Sequence, residues 1–159
     1  MYDIITPEHK RIPFEQMIDE IKGYMGNRPN SKIIVGADSQ KVRSRFCFAT
    51  AIAIIDPGNG GIFYIRKEYK KPHRNMNVQS TISWKVWEEA QYICAMFSDL
   101  IEHGIEIDEK ISHHDISEAG LSREHIASIK GFMTSMGFNP EIKPNAVIAS
   151  GIANSFSKK

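Results

Sequence analysis

The stretch that decides the fold is residues 32–40, "KIIVGADSQ". Three β-branched residues, Ile33, Ile34 and Val35, run into two small ones and then an acid, a hydroxyl and an amide. β-Branched side chains favour a pleated, buried strand. Such a strand finishes on Asp38 for one of two reasons. Either it closes at a surface turn, which Asp suits, or it carries a carboxylate to the end of a central strand for chemistry.

Outward from that strand the other elements follow. Upstream, "PFEQMIDEIKGYM" (13–25) sets Phe14, Met17, Ile18 and Ile21 at helical spacing behind Pro13, which suits a first turn, and predicts an N-terminal helix over 13–27. Downstream, "RFCFATAIAIID" (45–56) and "IFYIRKEY" (62–69) read as the second and third strands, joined into a hairpin by "DPGNGG". "KKPHRNMN" (70–77) is a loop, and a long helix runs from about Gln79 to Glu102, closed by Gly104. "EKISHHDIS" (109–117) supplies a fourth short strand, and "SREHIASIKGFMTSMG" (122–137) a helix with Ser122 as N-cap and Gly137 as terminator. "PEIKP" (140–144) is an edge-like strand and "NAVIASGIANSFSKK" (145–159) a final helix. After the first helix the order is β-β-β-α-β-α-β-α, which indicates a mixed α/β sheet of five strands.

Composition narrows the class. The 159 residues, 42% hydrophobic and 25% charged, fit one domain over 1–159 with a core of its own. No apolar run approaches the ~20 residues that span a bilayer, and the first residues lack the basic-then-apolar layout of a secretory signal. Cys47 and Cys94 stand in apolar contexts without metal or redox spacing, so both read as buried thiols in a reducing cytoplasm. With a net charge of +1, a nucleic-acid interface has to be a local patch.

The long helix carries an anomaly. At about 100° per residue, Ile82, Val86, Ile93, Phe97 and Leu100 share one narrow stripe, and Glu89 falls inside it. Its neighbour Glu88 points away and reads as solvated. A buried carboxylate is costly unless it is neutralised, hydrogen-bonded or bound to metal. Either the stripe frays and Glu89 pairs with a nearby Lys or Arg, or Glu89 is there for function. Asp115, at the end of the fourth strand, poses the same question as Asp38, because Asp also caps turns. If the first and fourth strands are neighbours with the helix across them, Asp38, Glu89 and Asp115 converge, and hard oxygen donors of that kind suit Mg²⁺ or Mn²⁺.

This order, with acids at those places, resembles the ribonuclease H fold. "HHDISEAGLSREHIASIKGFMTSMGFNPEIKPNAVIASGIANSFSKK" (113–159), with "VGADSQ" and "FATAIAI" upstream, resembles the YkuK-type ribonuclease H-like family. The similarity covers about 32–159 and leaves only the N-terminal helix outside the shared core. It implies a metal-dependent nuclease or phosphodiester hydrolase, in which Asp38 bridges one or two ions, Glu89 holds one and Asp115 completes the site. Many proteins of this fold add an acid or a histidine from the last helix. The best-placed residue here is Asn154, a neutral and weaker ligand, and His114 or its neighbour His113 is a substitute as ligand or general base.

Other residues carry two readings each. Ser39 and Gln40 position a phosphate or a water, or merely close a turn. Lys41, Arg43 and Arg45, with Arg66, Lys67, Lys70, Lys71 and Arg74, gather positive charge around one hairpin, as phosphate contacts or as solvated charge. Lys143 and Pro144 end the last strand near the expected site, where Lys143 is a phosphate contact or a plain loop lysine. Arg123, at the start of a helix, is an anion contact beside the Ser122 cap. Trp84 and Trp87 lie off the apolar stripe and are expected against the N-terminal helix or a partner. Three functions follow in order: a metal-dependent nuclease, a nucleic-acid-binding module with little or no catalysis, and a homo-oligomeric scaffold. No membrane partner is expected.

Overall fold

A computed structural model of the protein describes residues 3–73, 76–116, 120–143 and 151. At its centre is the strand read first, β3 (Lys32–Val42), buried from Ile33 to Ser39. It forms a two-residue hairpin with β4 (Arg45–Ile55), and β4 pairs antiparallel with β5 (Gly61–Lys70). Near-continuous apolar runs in β3 and β4 are what strands buried on both faces require. Tight packing shows at Gly61, where a Cβ would stand 2.7 Å from the Ile54 carbonyl oxygen.

The helix α2 (Val78–Glu102) crosses from β5 to the far side of β3. Asn77 caps its start by accepting from the Ser80 N–H at 2.8 Å, and Gly104, at φ +89°, ends it where L-residues are strained. The chain then enters β6 (Ile111–His114), parallel to β3, and α3 (Ile126–Ser135) leads into β7 (Asn139–Ile142), parallel to β6. These five strands lie in the order β5-β4-β3-β6-β7, the mixed sheet expected. Of the expected last helix only Gly151 is described, and Asn154 lies outside the described residues.

The sheet has seven strands rather than five. The segment before α1 (Phe14–Gly26) folds into β1 (Ile4–Ile5) and β2 (Arg11–Ile12), and β1 pairs with the outer edge of β5. Strands of two residues have no periodicity to read.

Phe14, Met17, Ile18 and Ile21 of α1 join Val86, Ile93, Phe97 and Leu100 of α2 and Ile129 and Met133 of α3 in one apolar cluster. That cluster rests on Val35, Ile52 and Ile54 of the sheet. Each such side chain, fully buried, contributes about 1.5–3 kcal/mol before entropy is charged against it. On the opposite face Ala49, Ala51 and Ala53 pack with Ile34, Ile65 and Ile111.

Several expectations change. Trp84 packs edge-on to Phe46 and Phe48 of β4, and Trp87 to Phe132 of α3, so the ring partners of both come from β4 and α3. Glu88 is not a free solvated side chain, since its carboxylate meets Lys70 Nζ at 2.7 Å. Ser122 makes no side-chain cap, because a single 3-10 turn (Arg123–His125) intervenes before α3. Arg66 belongs to the interior and donates to Asp99 of α2 at 2.8 Å.

Candidate functional site

Strand register builds the site. In the parallel β3–β6 ladder Gly36 pairs with His113, so Asp38 and Asp115, each two residues further on, are level. His114 pairs with Ile142 across β6–β7, which sets Lys143 level with Asp115. Asp38 inside β3, Asp115 just past β6 and Lys143 just past β7 thus stand side by side as an acid, an acid and a lysine. β3 does not finish on Asp38 but runs on to Val42 in the hairpin with β4. Above them α2 brings Glu89 and, one turn earlier, Lys85. Asp38, Glu89 and Asp115 line one cleft of about 260 Å³, with Lys85, Ile82, Val86, Leu121 and Ser122 completing its walls.

Glu89 is buried, as its place in the apolar stripe predicts. Ser39 donates its hydroxyl to Glu89 Oε2 at 2.6 Å. Burial pushes the Glu89 carboxyl up from 4.5 to about 8, against the lowering effect of the Ser39 hydrogen bond and the Lys85 charge. Asp38 rises from 3.8 to about 6, first by burial and then through its hydrogen bond to Asp115 and that residue's charge. Asp115 is also gripped by Lys143, whose Nζ contacts its Oδ1, and this contact raises the lysine pKa. Two carboxyls held partly protonated at neutral pH are the response of a crowded acid cluster to low dielectric.

Not every residue singled out in the sequence reaches the cleft. Ser39 is buried and committed to Glu89, so it supports the acid rather than touching a ligand. Gln40 lies further along β3, and the cleft walls do not include it. His114 is buried, with Nε2 2.8 Å from Ser112 Oγ, and burial lowers its pKa to about 4. His113 pairs through Nε2 with Glu141 at 3.2 Å. Neither lines the cleft, and these partners hold both rings elsewhere. Lys85 escaped the sequence reading, since a lysine on an amphipathic helix looks solvated. Its i, i+4 spacing to Glu89 was the available signal.

The basic residues divide. Lys41 and Arg43 line a second cleft, about 370 Å³, with Ser44, Phe46, Pro72, His73, Met76 and Thr81. It adjoins the first, since Thr81 faces one and Ile82 the other. Arg45 instead lies over the Tyr69 ring, 4.1 Å from its centroid. Arg43 sits in the hairpin turn at φ +61°, a conformation costly to any L-residue other than Gly, Asn or Asp. A cleft of about 610 Å³ opens at the other end of β3, where Lys22, Arg28 and Lys32 face Glu106, Asp108 and Glu109. Its mixed charge selects no ligand class, and the acids stand apart from it.

Donor chemistry and present arrangement differ. Three carboxylates on one cleft suit a hard divalent cation in kind. Yet among the described residues no group of three or more His, Cys, Asp or Glu side chains is placed to hold a metal ion. The contacts explain why: Asp115 is engaged by Lys143 and Asp38, and Glu89 by Ser39. Among the described residues no helix is long and apolar enough to cross a membrane.

Comparisons with known proteins agree with this topology. A family model described as ribonuclease H-like matches residues 16–158. The "Uncharacterized protein YkuK" of Bacillus subtilis (strain 168) is 24% identical over 160 residues, covering 93% of this chain and 92% of that one. No solved structure matches. With an acid inside β3, a second just past β6 and a third from the helix that crosses them, and with the family match spanning nearly the whole length, the chain belongs to the ribonuclease H-like family, among the YkuK-type proteins.

Proposed function

We propose that the protein is a divalent-cation-dependent phosphodiester hydrolase that acts on nucleic acid. The observation that carries this reading is that Asp38, Glu89 and Asp115, from three separate elements, line one cleft. The raised pKa values of Asp38 and Glu89 support it, because a cation in their midst offsets both burial and mutual repulsion. Asp38 and Asp115 would hold Mg²⁺ or Mn²⁺ from the sheet, and Glu89 from the helix. When bound, one or two such ions activate a water and stabilise the departing oxygen.

The chain's own groups do the rest. Ser39 fixes the Glu89 rotamer from below. Lys85 faces the same cleft and is placed to meet the charge of a phosphodiester. Ile82 and Val86 form an apolar side to the cleft that strengthens the field there, with the exposed Leu121 at its rim. Lys41 and Arg43 in the adjoining cleft extend the positive surface along the path of a phosphate backbone.

A second reading is a nucleic-acid-binding module without turnover. One observation favours it: Lys143 already neutralises Asp115. Calorimetric titration of Mn²⁺ into wild type, Asp38→Asn and Glu89→Gln decides first, with binding expected in wild type and lost in both variants. A wild type that takes up no Mn²⁺ at millimolar concentration, even with nucleic acid present, ends the hydrolase reading. Salt-sensitive oligonucleotide binding without Mn²⁺-dependent cleavage selects the module.

A further inference from the structure

Lys143 stands just past the end of β7, and its backbone N–H donates to the Ile116 carbonyl at 3.0 Å. That bond carries the β6–β7 pairing one step beyond the strands and fixes the main chain of Lys143 beside Asp115. The side chains are freer: Lys143 is 48% exposed and Asp115 32%. An ammonium on a flexible four-carbon stem therefore grips a carboxylate at the rim of the acid cleft and still faces solvent. A carboxylate oxygen occupied in this way is withheld from a cation.

We propose that Lys143 is a latch coupling the two binding events: its ammonium holds Asp115 until a nucleic-acid phosphate draws it away, which frees the carboxylate for a divalent cation. This rests on the hydrolase reading of the cleft. The phosphate oxyanion is a matched competitor, because it offers the ammonium the same charge-assisted hydrogen bonds as Asp115. The strength is suitable too. A half-exposed ion pair changes an equilibrium constant by about 1.5- to 5-fold, weak enough to yield to a substrate and large enough to measure. Coupling is reciprocal, so a cation on Asp115 releases Lys143 and tightens the hold on nucleic acid by the same factor. The latch accounts for three carboxylates that share a cleft yet are not gathered as a metal centre.

The test is calorimetric titration of Mn²⁺ into wild type, Lys143→Gln, Lys143→Arg and Lys32→Gln. Each is titrated alone and with saturating single-stranded DNA carrying phosphorothioate linkages, which resist cleavage. In wild type the oligonucleotide is expected to raise Mn²⁺ affinity about 1.5- to 5-fold. Lys143→Arg keeps that rise and Lys143→Gln loses it. Lys32→Gln removes a positive charge at the far end of β3, away from the acid cleft, so it keeps the rise and controls for net charge alone. An oligonucleotide effect equal in wild type and Lys143→Gln, or absent from wild type, overturns the latch. If Mn²⁺ still binds in that case, the cleft reading survives. If wild type binds no Mn²⁺ under either condition, both fall.

Discussion

Replacing Glu89 by Gln tests the electrostatics of the cleft without disturbing its shape. The carboxyl is buried and accepts one short hydrogen bond, from Ser39. In the unfolded chain it titrates near its ordinary 4.5, and in the folded protein near 8. Between those values the native state keeps a proton that the unfolded state has released. Stability supplied by this group is therefore fully present below pH 4.5 and is lost as pH rises through 8. The slope for one such group is at most about 1.4 kcal/mol per pH unit, so the full span is worth on the order of 3–5 kcal/mol. Gln does not titrate, matches the shape and accepts the Ser39 hydroxyl through its amide oxygen. With divalent ions chelated, Glu89→Gln should equal wild type in stability near pH 4.5 and exceed it by on the order of 3 kcal/mol near pH 8. Asp38, also raised, adds a trend of the same sign to both proteins. Urea denaturation monitored by tryptophan fluorescence at steps across this range gives the difference directly. Parallel stability curves at every pH would refute the reasoning, since they require Glu89 to be as ionised in the fold as in water. Added Mn²⁺ should then restore wild type selectively at the alkaline end, because a cation binds the ionised carboxylate.

Arg43→Gly relieves the left-handed backbone of the β3–β4 turn. Thermal melting should show equal or higher stability, by up to about 1 kcal/mol, while fluorescence anisotropy shows weaker binding of single-stranded DNA with a shallower salt dependence. Unchanged affinity would mean that the strained arginine serves no phosphate. Phe48 is fully buried and packs on Trp84 and Tyr92. Phe48→Ala should cost about 3–5 kcal/mol in urea denaturation, and a loss below about 1 kcal/mol would show that α2 is not anchored there.

Much of this is legible in the sequence. The three long strands announce themselves by β-branched runs and a glycine-rich turn, and Gly104 marks the end of α2. Glu89 was found because a helix has a fixed period, so an acid inside an apolar stripe has nowhere to hide. What periodicity cannot convey is partnership. Glu88 seemed solvated and is held by Lys70. Arg66 seemed part of a basic surface and is buried against Asp99. His114 seemed a ligand and is tied to Ser112. The first two depend on a residue distant in sequence, and the third on a neighbour two places back on the same face of β6. Lys85 was missed for the same reason, since its role comes from what the fold places in front of it.

The unequal strand lengths have a consequence for how the protein opens. β3 and β4 share eleven paired positions, whereas β3 and β6 share three. The hairpin closes over a short loop, but β6 must return from a point far along the chain and therefore pays more loop entropy for fewer bonds. Asp38 thus belongs to the part of the molecule that forms early and breathes least. Asp115 and Lys143 belong to a part that lifts away at lower free energy. Amide hydrogens of Ser112 and His113 will exchange with solvent well before those of Ile52 and Ala53. The cleft is assembled and taken apart from one side only, the side that carries the pair Lys143 and Asp115.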